Sequence, residues 1–147
     1  MTLKLNFFAK SDRGLIRDNN EDSGYAGPHL LILADGMGGH AAGEVASELM
    51  VNHLEILDQD PGQEDTAALL EAAAEQANEA ISDHVKAHPE TEGMGTTLST
   101  MLFNGRDFGV CHVGDSRGYL LRDGKLEQIT KDDTYVQSLV DLSLIHI

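Results

Sequence analysis

One cysteine, Cys111, stands in the whole chain. A single thiol excludes a disulfide framework and a thiolate metal cluster, and it fits a reducing, cytoplasmic environment. Basic residues are scarce too: 10 Lys and Arg face 25 Asp and Glu, for a formal charge of −15. That balance argues against a basic face for nucleic acid or anionic lipid, so no nucleic-acid partner is expected. No apolar run approaches the length of a membrane span, so no membrane segment is expected in this chain. The opening MTLKLNFFAK is too short and too polar for a signal peptide. Internal repeats and low-complexity tracts are also missing.

What remains is the composition of one folded domain. The 147 residues are 41% hydrophobic, enough to bury a core. The acidic excess serves solubility, and it also suits a site that collects divalent cations.

Three regimes follow one another along the chain. An opening strand is expected over Leu3–Ala9, then a surface loop, SDRGLIRDNNEDSG, dense in Asp, Asn, Arg and Gly. HLLILA follows, a short unbroken apolar run that predicts a strand covered on both faces. From Ala42 the apolar positions Val45, Ala46, Leu49, Met50, Leu54 and Leu57 keep the rhythm of one buried helical stripe. DQDPG ends that helix. Asp65-Thr66 opens a second, from Ala67 to about Ala87, burying Leu69, Ala73, Ala77, Ala80, Ile81, His84 and Val85 before Pro89 stops it. Then come TTLSTMLF, RDFGVCHVG, RGYLLR and KLEQIT, runs of strand length. Asn104-Gly105 and Asp123-Gly124 between them are hairpin signals. Elements segregated in this way indicate an α+β fold with antiparallel sheet rather than alternating βαβ units.

ILADGMGGH, Ile32 to His40, concentrates the chemistry. Gly36, Gly38 and Ala41 satisfy the G-x-G-x-x-A pattern of dinucleotide loops. Against that reading, Asp35 would repel a pyrophosphate, and no second parallel strand follows the helix. No G-K-[ST] follows either, which excludes a nucleoside triphosphate loop. A plain turn would account for an isolated run of glycines. Asp35 is not isolated, however. A carboxylate at a strand end can hold a hard cation, and glycine lets a backbone carbonyl reach the same ion. Asp115 in VGDSRGY is a second such residue, and Arg17 with Glu21 and Asp22 forms a third cluster. Carboxylates for metals beside an arginine that grips phosphate oxygens suit a phosphoryl hydrolase.

Other patterns carry less. His84 and His88 have a zinc-like spacing but lie at a helix end without HExxH, and an ordinary helix terminus accounts for them. Ser116 lacks the G-x-S-x-G context of a nucleophile. Met94, in GMGTTL, reads as a turn into a core strand, with the threonine hydroxyls structural or supporting the site.

SDRGLIRDNNED, LADGMGGHAAGEVAS, GMGTTL and GDSRGYLLRDGKLEQITKDDT together resemble the metal-dependent protein phosphatases, the PPM or type 2C family, from about Ser11 to Val140. The wording is especially similar to the actinobacterial enzyme that opposes membrane-bound Ser/Thr kinases. The resemblance implies a central sandwich of two antiparallel β-sheets flanked by helices (α-β-β-α), incomplete at the C-terminus. It implies hydrolysis of phosphoserine and phosphothreonine by a water activated between two divalent metals, Mn²⁺ or Mg²⁺, with a third, weaker metal site. By the same resemblance, Arg17 binds the substrate phosphate, and Asp35 bridges the two catalytic metals with the Gly36 carbonyl as a further ligand. Glu21 and Asp22 hold metal-bound waters, and Asp115 belongs to the third site. Met37 stands where many eukaryotic members carry a histidine proposed as general acid, a role not assigned to His40. The expected partners are phosphorylated Ser/Thr proteins and Ser/Thr kinases, and the expected state is a monomer in the cytoplasm. An anchor outside this stretch of a longer parent is compatible with that expectation.

Two departures from the family pattern set the remaining expectations. Two further aspartates that complete the family's metal cluster do not occur here, so residues 1–140 are expected to be the N-terminal part of the catalytic domain. Residues 141–147 abandon the pattern and resemble translated adapter DNA, which predicts a non-native tail. The chain by itself is expected to be inactive, the alternative class being a non-catalytic phosphopeptide- or metal-binding fragment.

Overall fold

A computed structural model describes residues 3–39 and 42–132, and the backbone alone of residues 141–146. Eight strands and two helices follow in order: β1 (Asp22–Ala26), β2 (Leu30–Met37), α1 (Ala42–Leu54), α2 (Thr66–Ala87), β3 (Gly95–Thr96), β4 (Leu98–Phe103), β5 (Asp107–Val113), β6 (Tyr119–Arg122), β7 (Lys125–Gln128) and β8 (Asp141–His146). The large sheet runs β1-β2-β4-β5-β8, with β3 extending the pairing at the end of β2, and β6-β7 form a separate two-stranded sheet. All these pairings are antiparallel, as the α+β reading requires. A dinucleotide crossover needs a parallel neighbour for β2, and its neighbours β1, β3 and β4 all run the other way.

Local chemistry explains the boundaries. The Asp65 carboxylate accepts the Ala68 N–H at 3.2 Å, satisfying a donor that the first turn of α2 leaves unpaired. Asp123 and Gly124 adopt φ of 52° and 76°, the twisted two-residue turn that joins β6 to β7. At the β4–β5 turn, the Asn104 side chain accepts from the N–H groups of Arg106 and Asp107, and Gly105 takes φ 92°.

Both helices lie against one face of the large sheet. Leu30, Ile32 and Ala34 of β2, Leu98 and Leu102 of β4 and Cys111 of β5 meet Ala46, Met50 and Leu54 of α1 and Leu70, Ala77 and Ile81 of α2. Each large side chain so buried contributes roughly 1.5–3 kcal/mol. Burial pushes the Cys111 thiol up to about 12, which removes it from thiolate chemistry.

Several expectations change. HLLILA is not covered on both faces: β2 alternates buried and open positions, and Leu33 is 41% exposed, because the helices pack on one side only. Leu3–Ala9 forms no strand. No described strand pairs with it, and Phe8 is 83% exposed. The α1 helix ends at Leu54, and a 3₁₀ turn carries Glu55–Leu57. Its buried stripe is rotated toward Ala42, Ser47 and Val51, leaving Val45 and Leu49 only partly covered. In α2, Leu70 and Ala74 are buried, whereas Leu69, Ala80, His84 and Val85 are half-buried.

Candidate metal centre

Strand pairing brings the acidic residues together. In the β1–β2 register Asp22 lies directly opposite Asp35, at the end of the ladder where the chain leaves for α1. Opposite residues of an antiparallel pair share a face, with Cβ atoms about 4.5–5.5 Å apart, and like charges there repel. The Asp35 carboxyl is held above its ordinary value of 3.8. Partial shielding from water contributes most. A hydrogen bond and charge from Asp22 follow, then the charge of Asp115, while Arg17 opposes them.

Arg17, Glu21, Asp22 and Asp35 line one open cavity of about 240 Å³, with Asp12, Arg13, Asn19 and Asn20 completing its wall. Four of the six candidates therefore meet in one place. Asp115 approaches closely enough to act on Asp35 through its charge, although it lies outside that wall. Glu21 lines the cavity and also touches the neighbouring helix. Its carboxylate rests against Gly43 in the first turn of α1, where a helix N-terminus favours negative charge.

Gly36 is required by packing. A Cβ there would lie 1.9 Å from the Gly43 carbonyl oxygen and 2.8 Å from that of Glu21. The missing side chain lets α1 dock on the strand end. The Gly36 N–H donates to the Glu21 carbonyl at 3.1 Å, and the Ser47 hydroxyl donates to the same oxygen at 2.7 Å. Strand β2, the Glu21 backbone and α1 are thus fastened around the carboxylates.

Thr97 fastens the other side. Its hydroxyl accepts the Asp35 N–H at 2.9 Å, and its own N–H donates to the Asp35 carbonyl at 2.9 Å. The same hydroxyl shares a hydrogen bond of 3.1 Å with Ser116. This is the supporting role available to the threonines of GMGTTL. It also commits the Ser116 hydroxyl to a structural bond. Met37 is 48% exposed, and His40 lies outside the described residues. His84 and His88 stack at 4.6 Å at the end of α2, as an ordinary helix terminus. Sequence reasoning missed His112 and Ser47. Both are buried polar residues within apolar segments, a pattern that marks a hydrogen-bonded site without saying what it supports.

The donor set fits a hard divalent cation: every candidate ligand is an oxygen, and two carboxylates are forced into opposition that a cation would relieve. Asp35 and the Gly36 carbonyl would hold it. Among the described residues, however, no three His, Cys, Asp or Glu side chains converge as a complete metal-holding group. No helix among them is long and apolar enough to cross a membrane.

The sequence profile described as Protein phosphatase 2C matches residues 5–138. The serine/threonine protein phosphatase PstP of Mycobacterium tuberculosis is 61% identical over 141 residues, which cover 96% of this chain and 27% of that protein. A serine/threonine phosphatase of Listeria welshimeri is 38% identical, covering 89% of this chain and 56% of the relative. The chain therefore spans about a quarter to a half of the length of these relatives. Among solved structures, the M. tuberculosis phosphatase PstP/Ppp superposes with a TM-score of 0.88 at 61% identity, over 92% of this chain and 57% of that one. The catalytic domain of PstP in complex with two manganese ions gives a TM-score of 0.92 at 48% identity, over 97% of this chain and 73% of that one. With its paired aspartates, its antiparallel sheets and this match over most of its length, the chain belongs to the protein phosphatase 2C family.

Proposed function

We propose that this chain carries the N-terminal half of a site that hydrolyses phosphoserine and phosphothreonine in proteins, using Mn²⁺ or Mg²⁺. The observation that carries the reading is the enforced opposition of Asp22 and Asp35 in one cavity with Arg17. In this reading the Arg17 guanidinium binds the phosphate oxygens and orients the phosphoryl group toward the carboxylates. Asp35, with the Gly36 carbonyl, is the principal metal ligand. Asp22 and Glu21 order water at the site, and Asp115 serves a further cation position. Divalent cations, when bound, supply Lewis acidity and an acidified water.

The chain alone turns over little or no substrate in this reading, because its described carboxylates do not form a complete metal-holding group. Phosphorylated proteins, and kinases that carry such phosphates, are the partners that follow from it, with the chain acting as a monomer. A Mn²⁺-dependent assay on a phosphothreonine peptide tests both parts. The 147-residue chain should be near background, whereas in a longer gene product Asp35→Ala should abolish turnover. Full activity in that variant would remove the metal assignment, and Asp35-dependent turnover by the short chain would overturn the claim of inactivity.

A further inference from the structure

His112 is only 2% exposed, is a buried polar group inside β5, and has no part in the chemistry above. Both ring nitrogens are engaged. Nε2 lies 3.0 Å from the Gly114 carbonyl oxygen, and Nδ1 lies 2.7 Å from the Ser99 hydroxyl. A carbonyl can only accept, so Nε2 carries a hydrogen and donates it. In the neutral ring Nδ1 then accepts from Ser99, its direct cross-strand partner on β4. The ring is therefore locked at both ends.

What it holds is the turn that carries Asp115. Gly114 takes φ +107°, and a Cβ on it would lie 2.6 Å from the Thr97 methyl carbon, so the turn is pressed against Thr97. One residue beyond Asp115, Ser116 bonds to the Thr97 hydroxyl, which also receives the Asp35 N–H. Asp115 thus sits between two tethered neighbours, Gly114 held by His112 and Ser116 held by Thr97. We propose that His112 is a positioning residue: through the Gly114 carbonyl it fixes the Asp115 turn against Asp35, with Ser99 setting the ring. The inference rests on the proposed role of Asp115, and it assigns that role a support from a buried imidazole two strands away from Asp35.

The two nitrogens can be separated by substitution. Glutamine places its amide nitrogen near Nε2 and can keep the bond to Gly114, whereas asparagine reaches only the position of Nδ1. Two readouts on the full chain decide the matter, with thermal melting as the fold control. In the absence of metal, amide order parameters at Asp115 and Ser116 should fall from about 0.85 toward 0.6 in His112→Asn and stay high in His112→Gln. During titration with Mg²⁺ alone, the carboxyl ¹³C signals of Asp35 and Asp115 are followed separately. The Asp115 midpoint should move about tenfold higher in His112→Asn, with Asp35 little changed and His112→Gln within about twofold of the parent. If His112→Asn does not fold, Ser99→Ala carries the test, with the same site-selective shift about threefold in size. A turn that stays rigid in the variants, or an Asp35 midpoint that weakens equally with Asp115, would overturn the proposal. Failure of Mg²⁺ to move either carboxyl in the parent would count against the metal reading instead, and the order parameters would still decide the role of His112.

Discussion

The two faces of the large sheet have opposite fates. Toward the helices, Leu30, Leu98 and Leu102 are at most 1% exposed and the packing is closed. On the other face Leu33 is 41% exposed, and Phe8, in the segment beside it, is 83% exposed. An open cleft of about 560 Å³ runs along that face, lined by Leu31, Leu33, Met101 and Val110 together with Phe8 and Ile129. One face is a finished core; the other is open along β2, where Leu33 lies, and closed over β5, where Val110 and His112 are 3% and 2% exposed. Asp22 and Asp35 belong to the open face, but the closed one anchors them through Gly36, Glu21 and Ser47. The lesson is that the site takes its rigidity from the helix side and presents its charge to the open side.

The sharpest way to break this contrast is to truncate one leucine on each face of β2. Leu30→Ala should cost about 3 kcal/mol and Leu33→Ala less than about 1 kcal/mol, as read from urea unfolding midpoints. Equal losses would mean that the open face is covered in solution. Next in size is the joint between helix and strand. Gly36→Ala drives a methyl into the Gly43 carbonyl, and a loss of about 2 kcal/mol is expected in the same measurement. A neutral result would show that α1 can shift without cost.

The smallest effect concerns the carboxylate pair and depends on pH. Because Asp35 titrates above its ordinary 3.8, the folded chain holds that proton more tightly than the unfolded chain does. The stabilisation is fully present below the ordinary value and is lost as pH rises through the raised one. At neutral pH without divalent cations, Asp35→Asn should therefore be more stable than the parent by roughly 0.2–1 kcal/mol. Mg²⁺ should reverse the order by stabilising the parent alone. Thermal melts at several pH values, with and without Mg²⁺, check the sign; a variant less stable than the metal-free parent would mean that no repulsion exists to relieve.

Much of this was legible in the residues. Helix ends marked by Asp65 and Pro89, hairpins marked by Asn104-Gly105 and Asp123-Gly124, and the antiparallel order all follow from local chemistry that acts within a few residues. The acidic and arginine clusters stood out because charge is costly to bury and informative when grouped beside glycine. Illegible were the quantities that depend on distant partners. The strand-like run Leu3–Ala9 cannot show whether a neighbouring strand is present to pair with it. Five consecutive apolar residues in HLLILA cannot show that only one of their faces meets a helix.

Sequence alone determined which residues could do the chemistry, because residue type sets charge, donor capacity and turn preference. It also determined the family, through motifs spread over residues 5–138. Tertiary structure decided the rest: that Asp22 faces Asp35, that Glu21 leans on α1, and that His112 clamps the turn before Asp115. Each of those depends on strand register and helix docking, which are settled by burial over the whole chain rather than by any local run of residues.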